Sequence, residues 1–286
     1  MSVVLHLSDP HFGTEREVVI DALVGLVRRE QPDLAVLSGD ITQRARRTQF
    51  RAAQRFVDRL TVPTVFVLPG NHDIPLFNLF ARVWFPYTNY QRAFGFDLQP
   101  TYESENLLVI GVNTTRPYRH IDGEVSCEQI DQVAERLYRA TQQQLRMVVT
   151  HQPVHVIRPQ DEMNLLHGHR QAADAWSQAG ADLLLGGHIH LPYVCPLPQP
   201  RKDVQRQVWV VQAGTAVSTR TRRGAPNSIN LIRYVPTDIP RVCSIERWDY
   251  QESAQCFQLI QSTGIQLGLD LPFTSAQAAA RGHGTA

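Results

Sequence analysis

Val3-Val4-Leu5-His6-Leu7-Ser8-Asp9-Pro10-His11 and Leu34-Ala35-Val36-Leu37-Ser38-Gly39-Asp40 follow one plan: an apolar run read as a buried strand, then side chains that can hold a cation. The plan recurs three times. Thr64–Leu68 leads into Gly70-Asn71-His72-Asp73, Met147–Val149 into Thr150-His151, and Leu183–Leu185 into Gly187-His188-Ile189-His190. A single D-x-H or H-x-H carries little weight, because two polar residues with a gap arise often by chance. Five such endings are different, since Asp40 and Asn71 would be costly to bury without partners. In a strand, residues i and i+2 face the same side, so Asp9 with His11, and His188 with His190, are expected to converge. Ligand sites in open α/β sheets gather beyond the carboxyl ends of strands, where all five endings fall.

Helical stripes separate the early runs. Val18, Val19, Ala22, Leu23, Leu26 and Val27 form one, and Phe50, Ala53, Phe56, Val57 and Leu60 a second. Ile130, Val133, Ala134, Leu137 and Tyr138 form a third, with Ser126 and Gln129 spaced as a capping box. A fourth surrounds Trp176 and stops at Gly180. Strands are also read at Leu107–Val112, Val208–Val211 and Ile229–Ile232, and strands dominate after residue 205. Pro192–Pro200, with four prolines, reads as a surface loop. A β-α-β-α-β series followed by strands predicts two stacked sheets with helices outside, not one doubly wound sheet. One domain is expected over residues 1–273, with 274–286 a flexible tail of small and polar residues.

Residues 74–104 crowd Leu76, Phe77, Leu79, Phe80, Val83, Trp84 and Phe85 directly after His72-Asp73. Two readings stay open there. The aromatics pack onto the core, or the segment is a partly exposed flap over the site that offers substrate an apolar wall.

With 43% hydrophobic and 19% charged residues in 286, the composition is that of a soluble globular protein. A net charge of +1 supplies no global field toward nucleic acid or anionic lipid, and no basic stripe or dedicated nucleic-acid-binding domain is read. Cys127, Cys195, Cys243 and Cys256 lie far apart without a C-x-x-C pair, as expected for reduced thiols in a cytoplasmic protein. No apolar run is long enough for a membrane span, and a cleaved signal peptide would remove the donor at Asp9. Homo-oligomerisation stays open.

In order, D-x-H, G-D, G-N-H-D, H and G-H-x-H resemble the calcineurin-like metallophosphoesterase superfamily, over about Val3 to Trp248. Within it the chain is most similar to bacterial enzymes related to the class III cyclic nucleotide phosphodiesterases. The resemblance implies a four-layer α/β/β/α sandwich of two mixed sheets flanked by helices, with a binuclear metal centre. Carried over position by position, Asp9, His11 and His190 would hold one metal, and Asn71, His151 and His188 the other, with Asp40 bridging both. Two ions roughly 3.5–4 Å apart can clamp a phosphoryl group and share a hydroxide that attacks phosphorus in line. His72 is the acid for the departing oxygen or a positive charge for the transition state, and the sequence leaves both open. Nitrogen and oxygen donors without sulfur suit manganese, iron, zinc or cobalt.

The implied substrate is a small phosphoester. A phosphodiester, cyclic nucleotide or small diester, stands ahead of a monoester or nucleotide. A catalytically inactive protein-binding scaffold is the remaining alternative, and the intact donor positions speak against it. Gly39-Asp40-Ile41-Thr42-Gln43 lacks the second Asp and the Arg-Gly of Ser/Thr phosphoprotein phosphatases. His72 stands where lipid-A-pathway pyrophosphatases carry Arg, and Gln152 where close phosphodiesterase relatives often carry a second His. Substrate-binding candidates are Asn71, His72 and Arg116. Arg220, Arg222 and Arg223 form a second cluster, which reads equally as a solvated loop; Arg44, Arg46 and Arg47 read as exposed. His6 reads as a core residue, and His120, His155, His167 and His169 match no ligand position, His169 being placed to cap a helix.

Overall fold

Strands covered on both faces need apolar residues at odd and even positions alike, which is why the runs above show no alternation. The computed structural model describes residues 1–119, 121–198, 207–238 and 240–268. His120 and the tail expected from residue 274 lie outside the described residues. The chain runs β1 (Ser2–Leu7), α1 (Glu17–Glu30), β2 (Leu34–Ser38), α2 (Arg47–Leu60) and β3 (Thr64–Leu68). It continues with α3 (Leu79–Trp84), α4 (Thr88–Phe94), β4 (Thr101–Glu103), β5 (Leu107–Gly111), α5 (Cys127–Arg139) and β6 (Leu145–Val149). There follow α6 (His169–Gln178), β7 (Leu183–Gly186), β8 (Tyr193–Pro196), β9 (Trp209–Gln212), β10 (Ser228–Val235), β11 (Val242–Gln251) and β12 (Cys256–Gln266).

Two six-stranded mixed sheets result, ordered β12-β11-β10-β1-β2-β3 and β4-β5-β6-β7-β9-β8. β1, β2 and β3 are parallel neighbours, and so are β5, β6, β7 and β9. The alternation hidden in the sequence emerges as three separate cores. Val4, Leu34, Val36, Leu107, Val109, Met147, Leu183 and Leu185 meet between the sheets. Leu5, Leu7, Ala35 and Leu37 turn outward against α1 and α2, through Leu23, Val27, Phe50 and Phe56. On the far side Leu108, Ile110, Val148 and Leu184 turn toward α5 and α6, through Ile130, Leu137 and Trp176. The layers are therefore helices, sheet, sheet, helices. The Ser126 capping box is present, Oγ accepting from Gln129 N at 3.2 Å while Gln129 Oε1 accepts from Ser126 N at 3.0 Å.

Two readings need correction. Part of Pro192–Pro200 is strand β8 rather than loop, paired antiparallel to β9 at the sheet's edge. Edge strands tolerate proline because one row of their N–H groups needs no partner. In residues 74–104, Tyr90 is buried and Phe94 packs beside the core. Phe77, Leu79, Phe80, Val83, Trp84 and Phe85 are instead 58–75% exposed, so the packed reading fails for the cluster itself. No helix among the described residues is long and apolar enough to cross a membrane.

Candidate metal centre

Every donor motif sits just past a strand end, and the parallel order of β1, β2, β3 and of β5, β6, β7 puts those ends on one rim. The strand pleat is not what aims the side chains, however. β1 ends at Leu7 and β7 at Gly186, so the D-x-H and H-x-H pairs lie in loops. Asp9, His11, Asp40, His188 and His190 instead adopt left-handed backbone, with φ of 52°, 42°, 49°, 71° and 55°. Non-glycine residues there cost on the order of 1–3 kcal/mol each and persist only where surrounding structure enforces them. Here Asp9 N donates to Gly39 O (3.1 Å), His11 N to Asp40 O (3.0 Å) and His188 N to Asp9 Oδ2 (2.9 Å). The turn loops thus lock one another.

Two donor clusters form. In the first, His190 Nε2 lies 3.1 Å from both Asp9 Oδ1 and His11 Nε2, and His11 Nε2 lies 3.6 Å from Asp9 Oδ1. In the second, His151 Nε2 lies 3.2 Å from Asp40 Oδ1 and 3.2 Å from Asn71 Oδ1, with a donor atom of His188 within 4.8 Å of those of Asp40 and His151. Asp40 spans them: Oδ1 faces His151, while Oδ2 lies 3.7 Å from His11 Nε2. All seven positions named from the sequence are therefore brought to one place.

The surroundings fix which atoms face inward. His151 Nδ1 sits 2.9 Å from Ser38 O, and His190 Nδ1 sits against Arg220 O. A carbonyl only accepts, so each Nδ1 carries a proton and each Nε2 is the nitrogen turned toward its cluster. Burial by itself would raise the Asp9 and Asp40 carboxyls. Nearby imidazoles, His190 for Asp9 and His151 for Asp40, nevertheless hold both below the usual range, so both are anionic at neutral pH. Burial, with His151 adding to it, pushes His188 down to about 3, so that ring is neutral. Asp9 Oδ1 and His188 Nδ1 are buried without a hydrogen bond. Buried polar atoms left this way are what divalent cations with nitrogen and oxygen ligands satisfy, so the donor set fits such ions.

Close backbone approach is required at two glycines. A Cβ on Gly70 would fall 2.0 Å from Asp40 N and 2.2 Å from its Oδ1. On Gly187 it would fall 1.8 Å from Ser8 Oγ and 2.6 Å from Asp9 Oδ2. Gly187→Ala is expected to weaken metal retention by on the order of 10–100-fold, as displaced ligand supports do elsewhere. Metal content after dialysis against graded chelator checks it, and wild-type retention would contradict the geometry. Asp73 completes the frame. Its buried carboxylate accepts from Gly70 N (2.9 Å), Ile41 N (2.9 Å), Thr42 N (2.8 Å) and Thr42 Oγ1 (2.8 Å), tying the Asn71 turn to the Asp40 loop.

The clusters floor a cavity of about 460 Å³ lined by Asp40, Asn71, His72, His188, His190, Ile121, Ile189, Asp161, Asn164, Arg220 and Arg222. His72 Nδ1 sits 3.0 Å from Gln43 O, which turns its Nε2 toward Arg220 Nη1 at 3.3 Å. Arg222 is neutralised by Asp161 at 2.9 Å. The Arg220 guanidinium instead meets Gln43 Oε1 (3.0 Å) and His72, without a carboxylate among the described residues.

Other expectations fare differently. Arg116 is not among the lining residues; its guanidinium donates to Asn113 O, Thr115 O and Gln129 Oε1, bracing its own loop onto α5. Gln152 is buried and holds the same loop, its Nε2 donating to Ile121 O at 3.1 Å. The apolar wall comes from Ile121 and Ile189, not from 74–104. His6 is a core residue bonded to Ser38 Oγ (3.0 Å), and His167 pairs with Asp122 (2.6 Å). His169 is the first residue of α6 rather than its cap, which is Gly168. Asp161, Asn164 and Ile121 carry no spacing that marks them as lining groups, whereas Arg220 and Arg222 belong to the second arginine cluster, for which substrate contact and a solvated loop were both open.

The family model described as calcineurin-like phosphoesterase matches residues 2–192. The chain is 26% identical over 176 residues to a probable cyclic nucleotide phosphodiesterase of Synechococcus sp., covering 60% of this chain. It is 27% identical over 167 residues to a probable glycerophosphodiester phosphodiesterase of Arcobacter nitrofigilis, covering 57% of this chain. Those matches span 64% and 58% of the relatives' own lengths. In fold, it is similar to a dimetal phosphatase from Danio rerio (TM-score 0.64, 15% identity, 93% of this chain and 99% of that one). It is also similar to the purple acid phosphatase PPD1 of yellow lupin (TM-score 0.68, 12% identity, 93% and 53%).

Proposed function

The chain belongs to the calcineurin-like phosphoesterase family, and on that premise we propose that it is a binuclear metal-dependent phosphodiesterase acting on a cyclic nucleotide or another small diester. The observation that carries the reading is Asp40, whose two carboxylate oxygens face two separate donor clusters. Asp9, His11 and His190 would hold one ion and Asn71, His151 and His188 the other, with Asp40 placed to serve both. Bound ions supply Lewis acidity toward the phosphoryl oxygens and a nucleophile at neutral pH. The protein's own groups do the rest. Asn71 and His72 lie at the cavity floor, where a phosphoryl group would rest. His72 serves the departing oxygen, and Ile121 and Ile189 offer apolar contact to the alcohol portions. We place the activity in the cytoplasm, where the four free thiols stay reduced.

Arg220 is the cation for the substrate's non-bridging oxygen, since its present partners are neutral and exchangeable. Arg220→Gln is expected to raise KM for a diester by roughly tenfold or more, the loss of one charge-assisted hydrogen bond. Steady-state kinetics with metal content alongside checks it, and an unchanged KM would remove Arg220 from the site. The reading as a whole is tested by reconstituting the protein with Mn²⁺. Its turnover of bis(p-nitrophenyl) phosphate, cyclic nucleotides and glycerophosphodiesters is then compared with p-nitrophenyl phosphate. Diester turnover ahead of monoester turnover is expected; phosphate released from the monoester alone would make it a phosphatase, and inertness toward all would overturn the enzyme reading.

A further inference from the structure

The largest feature that catalysis leaves unused is the apolar surface after the Asn71 turn. Phe77, Leu79, Phe80, Val83, Trp84 and Phe85 expose 75, 70, 68, 64, 67 and 58% of their surface within nine residues. A patch of this density marks an interaction surface. It is held in place, not frayed: the buried Arg82 donates from Nε to Pro117 O at 2.6 Å and from Nη1 to Pro75 O at 3.3 Å. That bond ties α3 to the loop bearing Tyr118, 71% exposed, and Ile121, which lines the cavity.

A stripe of positive charge runs along α2, and the loop leading into that helix touches the patch through Arg44. Arg47, Arg51 and Arg55 repeat at intervals of four on α2, so they share one helix face, and all three are exposed. Arg44 and Arg46 precede them, also exposed, and Arg44 sits over the Phe77 ring at 4.8 Å, joining stripe to patch. None of these five has a carboxylate partner among the described residues. The net charge of +1 conceals this segregation, so the sequence reading that found no basic stripe is corrected here.

We propose that this face docks on an anionic lipid bilayer, the aromatic side chains entering the headgroup region and the arginines meeting lipid phosphates. Exposed Trp, Phe and Leu beside arginines is the composition that binds at such an interface. A second copy of the chain fits less well. A two-fold contact that set the patch on itself would offer the arginines no acidic partner from the patch, whose exposed residues are all apolar.

Co-sedimentation of the full chain with phosphatidylglycerol/phosphatidylcholine vesicles, against pure phosphatidylcholine, tests it. The protein is expected to pellet with the anionic vesicles and to leave them as salt rises. The pair Phe80→Ser/Trp84→Ser and the triple Arg47→Gln/Arg51→Gln/Arg55→Gln should each lower partitioning about tenfold or more. Turnover of soluble bis(p-nitrophenyl) phosphate should be unchanged in both, which shows that they fold and keeps this test separate from the catalytic one. Wild-type protein left in the supernatant with phosphatidylglycerol would overturn the proposal, as would full binding by the arginine triple. A dimer in light scattering that Phe80→Ser/Trp84→Ser dissolves would assign the face to a second copy instead.

Discussion

Asp40→Asn should remove activity by at least about 10⁴-fold and lower metal content at both positions, not one. The expectation follows from where the two carboxylate oxygens point. Oδ1 lies 3.2 Å from His151 Nε2 and Oδ2 lies 3.7 Å from His11 Nε2, so this one carboxylate addresses both clusters. The asparagine keeps an oxygen that can accept the His72 N–H now bonded at 2.8 Å, so the loop survives while the shared negative charge is lost. Without that charge, two like-charged ions would sit in a buried site whose donor clusters, among the described residues, keep Asp9 alone as a carboxylate. Asp9→Asn is the comparison, and it should deplete chiefly the ion held with His11 and His190. Metal analysis of both variants decides the matter: equal, single-ion losses would mean that Asp40 is not shared.

The identity of the donors was legible because metal chemistry limits residue type, and strand ends limit position. An apolar run ending in Asp, Asn or His is a pattern that packing alone rarely produces. The two-sheet architecture was legible for a related reason, since continuous apolar runs such as Leu34–Leu37 must be covered on both faces. The means of convergence was not. The i, i+2 rule paired Asp9 with His11 for the wrong reason and failed for His188 and His190, which fall in different clusters, because left-handed backbone enforced by hydrogen bonds between distant loops, not the strand pleat, aims these side chains. Nor could spacing choose between arginines. Arg116 and Arg220 both follow strands, and only the partners each finds separate a loop brace from a cavity cation. The polar β11 and β12 were visible only as a bias toward strand, because β12 is mostly exposed and β11 only partly buried, so neither carries a continuous apolar run.

His72→Ala should keep both ions bound yet slow turnover in a way that depends on the leaving group. Its ring lies edge-on to His11, centroids 4.9 Å apart, but it belongs to neither donor cluster. Nδ1 faces Gln43 O at 3.0 Å and therefore carries a proton, so Nε2 can give one only when the ring carries a second. In the resting arrangement Nε2 instead faces the Arg220 guanidinium, and a substrate phosphate that draws Arg220 away would free it to meet the departing oxygen. Proton donation matters most when that oxygen leaves as an alkoxide and least when it leaves as p-nitrophenolate, which needs no proton. Alkyl diesters should therefore slow by on the order of 10²–10⁴-fold, and p-nitrophenyl esters by less than about tenfold. A purely electrostatic His72 would stabilise charge on the phosphoryl oxygens whatever leaves, and both substrates would slow alike. The slope of log kcat against leaving-group acidity separates the two: steeper in His72→Ala than in wild type if His72 is the acid, and parallel to it otherwise.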